Sequence, residues 1–143
     1  MLLNLTMINV IPDDLDNEST LLALCIWREA RNQNSMAQLG VKWVIKNRCT
    51  LAPREGFKKT ISENIFKPYA FSSFNKNDPN VNKYPKPDDA AWLRILDIVR
   101  NDSPDPVDGA VFYFSPPIKT PPKAWGNVVF AAKWDNLTFY KLP

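Results

Sequence analysis

Between Asp16 and Cys49 the chain shows two runs of apolar residues at helical spacing, each preceded by polar residues suited to start a helix. Asp16, Asn17 and Ser19 each offer a side-chain oxygen for capping. Leu21, Leu22, Leu24, Cys25, Ile26 and Trp27 follow. Leu22, Cys25 and Ile26 fall on one face, and the next position of that face is Glu29. A second helix is predicted from Ser35, with Gln38 completing a capping box. Its apolar stripe runs through Met36, Leu39, Gly40, Trp43 and Val44, and it ends near Arg48 or Cys49. Gly40 in a helix interior costs about 1 kcal/mol against alanine, which predicts close packing there, against the first helix. The short break "NQNS" lets the two helices lie as neighbours.

The next segment is less periodic. A short helix is expected over Thr60–Ile65, followed by "KPYAFSSFNKNDPNVNKYPKPDD", a long irregular stretch rich in proline, asparagine and aromatics. A stretch of this length inside a domain is usually functional or mobile. A third long helix is predicted over Asp88–Asn101, with Pro87 ahead, Asp88 as cap, and a stripe of Ala91, Trp92, Ile95, Leu96 and Val99. "AVFYFSP" alternates like a strand, and "VVFAAKWDNLTFYKL" reads as a terminal strand pair turning at Asp135-Asn136. The class is α+β, with helices first and a small β element toward the C-terminus. Residues 1–143 read as one domain, with 1–16 as an N-terminal extension.

Composition narrows the chemistry. The 143 residues are 45% hydrophobic, which fits a folded chain with a real core. The net charge of +3 is small and its basic residues are dispersed, so nucleic acid is not the expected partner. There is no histidine. Ser-His-Asp and Cys-His nucleophile schemes and His-ligated zinc are therefore excluded. Cys25 and Cys49 are too few for a disulfide scaffold or a cysteine-rich metal site; buried free thiols are expected, with a single bridge as the alternative. No metal or cofactor is called for, and catalysis must fall to carboxylates, hydroxyls, lysine, arginine or amides. The N-terminal "MLLNLTMINVIPDD" lacks a basic flank and is interrupted by Asn4 and Asn9, so it does not read as an export signal. No run approaches a membrane span. Asn4-Leu5-Thr6 and Asn136-Leu137-Thr138 match the glycosylation pattern but carry little weight without a secretion signal.

Glu29 is the residue to explain. By position alone it reads as a solvated or paired charge at a helix end, although Arg28 and Arg31 lack the spacing that favours pairing. Two features point to a working acid instead. Glu29 extends the buried face into the core or a cleft wall, where lost hydration raises a carboxyl pKa and keeps it protonated. The irregular segments also supply aromatics, serines and asparagines, the groups that stack on and hydrogen-bond to sugars.

"IWREARNQ", "AQLGVKWVIKNRC", "TISENIFKPYAFSS" and "GAVFYFSP", followed by a distal tryptophan, together resemble the SleB-like cell wall hydrolases, the spore cortex-lytic enzyme family. The resemblance covers about residues 17–143. It implies a lysozyme-like fold similar to lytic transglycosylases, and cleavage of the β-1,4 bond between N-acetylmuramic acid and N-acetylglucosamine. The family's essential glutamate maps onto Glu29. Three departures stand out: Asn32-Gln33 replaces Gly-Glu, Trp27 replaces a tyrosine, and Ser115-Pro116 replaces Asn-Pro. No second carboxylate is convincingly placed, since Asp78, Asp88, Asp89 and Glu63 read as loop charges or caps. A single acid suits lytic transglycosylation, while a muramidase would use two.

On the family pattern Phe71, Ser72 and Ser73 face the cleft, Tyr113 reaches the scissile sugar or Glu29, and Ser115 and Trp125 contact substrate. Asn47 and Arg48 read as architectural, closing a helix end near the first helix, and Arg31 as a partner of a carboxylate. The expected partner is the peptidoglycan glycan strand and the expected state a monomer. Wall-cutting chemistry without an export signal suggests synthesis in the cytoplasm and action on the cell wall. It fits a phage lysin released through a holin pore or carried in a particle. The rival reading is a non-catalytic glycan-binding module of the same fold.

Overall fold

The computed structural model describes residues 10–143; the expectations for residues 1–9, including Asn4-Leu5-Thr6, lie outside them. Four helices come first: α1 (Asn17–Ala30), α2 (Ser35–Leu51), α3 (Ile61–Phe66) and α4 (Ala90–Arg100). A three-stranded antiparallel sheet follows, with β1 (Phe112–Phe114), β2 (Val129–Trp134) and β3 (Leu137–Lys141) in the order β1-β3-β2.

Helix α1 is the centre of the core. Asp16 caps it, accepting a hydrogen bond from the Ser19 amide at 2.7 Å. Every residue from Thr20 to Arg28 is buried. The expected single buried stripe through Leu22, Cys25 and Ile26 is therefore too narrow. A helix that is apolar around its whole circumference belongs inside the fold, and "LLALCIW" has no polar side to expose.

The cap of α2 lies one residue earlier than expected. Asn34 accepts from the Ala37 amide at 3.0 Å, and no Ser35–Gln38 capping box forms. Gln38 is instead fully buried: its Nε2 donates to the Ala30 and Gln33 carbonyls and its Oε1 accepts from Arg94. One side chain thus bridges the end of α1 and the turn that follows it. Gly40 does mark a close approach, but toward β3 and not toward α1. A Cβ built there would lie 2.5 Å from Phe139 Cζ and 3.1 Å from Val107 Cγ1.

Thr60 caps α3, and its hydroxyl also bonds the Glu63 carboxylate at 2.7 Å. Asp89 caps α4 through the Trp92 amide, in place of Asp88. Trp92, Ile95 and Leu96 carry the buried face of α4. The β2–β3 turn falls at Asp135-Asn136 as predicted, with Asp135 in the left-handed region at φ 53°. Asp135 accepts from the Asn34 amide at 2.7 Å and Gln33 accepts from the Asn136 amide at 3.1 Å, tying the hairpin tip to the α1–α2 turn. Cys25 is buried and Cys49 half-buried, and both are free thiols. No helix among the described residues is long and apolar enough to cross a membrane.

The irregular segment between α3 and α4 is held from inside. Arg28, only 7% exposed, donates to the carbonyls of Lys83 (3.1 Å), Val81 (2.9 Å) and Ser73 (3.4 Å). Its guanidinium lies between the rings of Phe74 and Tyr84, at 4.6 and 5.0 Å. Backbone carbonyls that secondary structure does not pair must find donors elsewhere, and one planar side chain supplies three of them.

Candidate active site

Glu29 is the penultimate residue of α1, where the central helix leaves the core and meets a cleft of about 540 Å³. The cleft is bounded by the 55–57 turn, the 67–72 segment, β1, and the short turn at Ala124-Trp125. Strand β1 brings Tyr113 across so that its hydroxyl donates to Glu29 Oε1 at 2.5 Å. The contact spans 84 residues of sequence and joins the first helix to the sheet.

The carboxyl of Glu29 is pushed above its ordinary value, chiefly by burial. The Tyr113 hydrogen bond opposes this, because a hydroxyl donor favours the charged form. The Ser73 hydroxyl acts in the same sense, although it makes no hydrogen bond of standard geometry and is otherwise an unpartnered buried oxygen. The negative field of Asp78 raises the value further and that of the Arg48 guanidinium lowers it. Burial outweighs the opposing contacts, so the net shift of this cleft-facing carboxyl is upward. Burial, and then the neighbouring Glu29, also push the Tyr113 phenol well up, so it remains a donor.

Of the residues singled out in the sequence, Glu29, Phe71, Ser72, Tyr113 and Trp125 line the cleft together. Phe71 is buried in its wall and Ser72 is exposed at its edge. Ser73 points inward, buried beside Glu29 and outside the lining. Ser115 is exposed past the end of β1 and does not line the cleft. Trp125 stacks on Phe112 with centroids 4.7 Å apart and planes at 11°. Alternation along β1 does not divide core from cleft, because Phe112 and Tyr113 both contribute to the lining.

Arg48 has a larger part than closing a helix. Its Nε donates to the Val111 carbonyl at 2.8 Å, beside the start of β1. Its guanidinium lies among the rings of Phe57, Phe71 and Phe112, at 5.2 to 5.7 Å, in the cleft wall. Asn47 donates to Asp105 and the Ala110 carbonyl. The Asn47-Arg48 pair therefore ties α2 to the approach of β1, not to α1. Among the described residues Arg31 meets no carboxylate; it donates to the Trp27 and Arg28 carbonyls and lies over the Trp27 ring. Sequence reasoning also passed over Tyr69, 87% exposed and in the left-handed region at φ 64°, and Glu55, a second carboxylate in the cleft lining at φ 56°. Nothing in "REG" or "KPY" marks those residues, since left-handed conformations of non-glycine residues have no reliable local signature. Among the described residues no three His, Cys, Asp or Glu side chains converge as a metal set.

Comparison with known proteins places this arrangement. A family model described as Cell Wall Hydrolase matches residues 32–140, beginning just past Glu29. The spore cortex-lytic enzyme of Halalkalibacterium halodurans is 34% identical over 112 residues, covering 78% of this chain and 31% of that protein. That of Bacillus subtilis is 32% identical over 112 residues, covering 78% and 34%. The chain thus spans about a third of the length of these relatives. Among solved structures, the catalytic domain of the Bacillus cereus SleB protein superposes with a TM-score of 0.67 at 30% identity, covering 94% of this chain and 97% of that one. The catalytic domain of the germination-specific lytic transglycosylase SleB from Bacillus anthracis gives 0.67 at 27% identity, covering 92% and 100%. The α+β order of helices first and strands last is the order of that fold.

Proposed function

This chain belongs to the cell wall hydrolase family, and from that premise we propose that it cuts peptidoglycan glycan strands with Glu29 as proton donor. The observation that carries the reading is the Glu29 carboxyl itself: on the cleft wall, raised in pKa by burial, and oriented by the Tyr113 hydroxyl. A general acid must hold its proton at working pH and release it to a leaving group.

The bond cut is the β-1,4 link between N-acetylmuramic acid and N-acetylglucosamine. Glu29 gives its proton to the bridging oxygen as the bond to the muramoyl anomeric carbon breaks. The C6 hydroxyl of the same muramoyl unit then attacks that carbon, and the Glu29 carboxylate takes the hydroxyl proton. The carboxyl is restored, no water is consumed, and the new chain end is a 1,6-anhydro sugar. Tyr113, already donating to Oε1, gains strength as Glu29 becomes charged, so it stabilises the moment of proton transfer. Arg48, whose field also favours the carboxylate, adds to this.

Trp125 offers a ring to sugars and Ser72 a hydroxyl at the cleft edge, while the buried Phe71 ring forms the wall behind them. Ser73, buried beside the acid and outside the lining, acts on the Glu29 carboxyl in place of the expected contact with substrate. The working unit we propose is a single chain acting on the bacterial wall. Glu55 in the lining allows a two-carboxylate hydrolysis as the second reading. Digestion of purified sacculi followed by mass measurement of the fragments separates the two. The single-acid route gives muramoyl ends one water lighter than hydrolysis does. Fragments of only the hydrated mass would overturn it.

A further inference from the structure

The sheet has an inner face that packs on the helices and an outer face whose composition the cleft alone does not explain. Leu137 and Phe139 of β3 point inward and are buried. Thr138 and Tyr140 therefore point outward. Opposite them stand Phe114 and Phe112 on β1, and Lys133 and Phe130 on β2. Phe130 and Lys133 are three positions apart, an odd offset that puts residues of a regular strand on opposite faces. The register shift between Phe130 and Ala132 inserts one residue and turns both outward.

The result is a row of rings that starts in the cleft. Phe112 and Trp125 line the cleft and stack at 4.7 Å. Phe114 lies 6.2 Å from Trp125 and 5.6 Å from Tyr140, and Phe130 meets Tyr140 edge-on at 6.0 Å. Phe130 is 57% exposed at the far end. Beside the row lies a second hollow of about 280 Å³, whose lining includes Phe114, Ile118, Lys119, Lys133, Thr138 and Tyr140. Neither Lys119 nor Lys133 has a carboxylate partner among the described residues. Two unpaired ammonium groups beside the half-buried Tyr140 ring suit a ligand with apolar ring faces and negative charges.

We propose that the outer face of the sheet carries the glycan strand beyond the cleft. Sugar rings pack along Trp125, Tyr140 and Phe130, and Lys119 and Lys133 pair with the carboxylates of the strand's peptide stems. The inference rests on the cleft taking peptidoglycan, as proposed above. Its basis is the continuity of the two surfaces through Phe112 and Trp125, and the charge complementarity of the hollow to an acidic stem.

Calorimetric binding in a Glu29→Gln background, where strands are held without being cut, tests it. The ligands are long strands with stems, the same strands stripped of stems, and a tetrasaccharide. Phe130→Ala is expected to weaken both long strands about tenfold and the tetrasaccharide less than about twofold. Lys119→Glu with Lys133→Glu is expected to weaken only the stem-bearing strand, also about tenfold. All the substituted side chains are exposed, and circular dichroism checks that the fold is kept. Long strands bound equally by parent and variants would overturn the proposal and leave the cleft reading intact. A dimer that Phe130→Ala dissociates would also overturn it, by giving the face to a second copy. No binding of any saccharide by the folded parent would remove the cleft reading and this inference together.

Discussion

Replacing Tyr113 by phenylalanine deletes one oxygen and keeps the ring in place against Phe139, 5.8 Å away between centroids. What is lost is the 2.5 Å hydrogen bond to Glu29 Oε1. Before proton transfer that bond joins a phenol to a neutral acid, worth about 1 kcal/mol; afterwards it joins a phenol to a carboxylate, worth about 1.5–3 kcal/mol. Only the difference acts on the chemical step, and about 1.4 kcal/mol corresponds to about a tenfold fall in kcat. The same deletion moves the pH profile in a defined direction. The Tyr113 bond holds the Glu29 pKa down against burial, so its removal sends that pKa higher. A general acid is active while protonated, and activity falls as pH rises through its pKa. The alkaline limb of kcat/KM, which reports the free enzyme, therefore shifts to higher pH. The assay is release of reducing or anhydro ends from solubilised strands across pH, for wild type and Tyr113→Phe. An unchanged kcat with an unmoved limb, or a limb displaced to lower pH, would refute the assignment of Tyr113 to the Glu29 carboxyl.

Glu29→Gln also has a stability signature. Glu29 is raised above its ordinary value of 4.5, so the folded state holds this proton more tightly than the unfolded chain. Its contribution is full below that value and is lost as pH rises through the folded-state pKa. Urea unfolding should find Glu29→Gln more stable than wild type at pH 8 and not at pH 4; equal differences at both would contradict the burial argument. Gly40→Ala gains about 1 kcal/mol of helix propensity but drives a methyl into the fully buried Phe139 ring, at a cost of about 1–3 kcal/mol. A lower unfolding midpoint is expected, and a raised one would show that Phe139 moves aside. Arg28→Ala leaves three carbonyls without their donor, at about 1 kcal/mol or more each. Hydrogen exchange should quicken across residues 73–83 well before the core opens, whereas uniform exchange would contradict the role of Arg28 as the pin of that segment.

The elements and the place of Glu29 at the edge of the core were legible because they rest on local signals. Asp16 and Thr60 announce helix starts, Asp135-Asn136 announces a turn, and Glu29 stands where a polar residue interrupts an apolar helix. Departures arise where a long-range contact outweighs the local signal. Gln38 looks like half of a capping box but is drawn inward by carbonyls at the end of α1 and by Arg94. Gly40 signals a close neighbour without saying which, and the neighbour is Phe139, 99 positions later. Arg48 reads as a helix-end residue; its place in the cleft wall depends on Phe57, Phe71 and Phe112 arriving from three other segments. Ser115 follows the family motif in order, yet the end of β1 turns it to solvent. The bulge in β2 has no marker in "VFAAKW", because nothing in that hexapeptide distinguishes a regular strand from one with an inserted residue.

The most direct measurement sets wild type against Glu29→Gln on purified sacculi, with circular dichroism confirming that both are folded. Loss of fragment release by at least about a thousandfold is expected, since the amide keeps the shape of the side chain and has no proton to give. A folded Glu29→Gln protein that still solubilises sacculi at a rate near that of wild type would contradict the assignment of the acid.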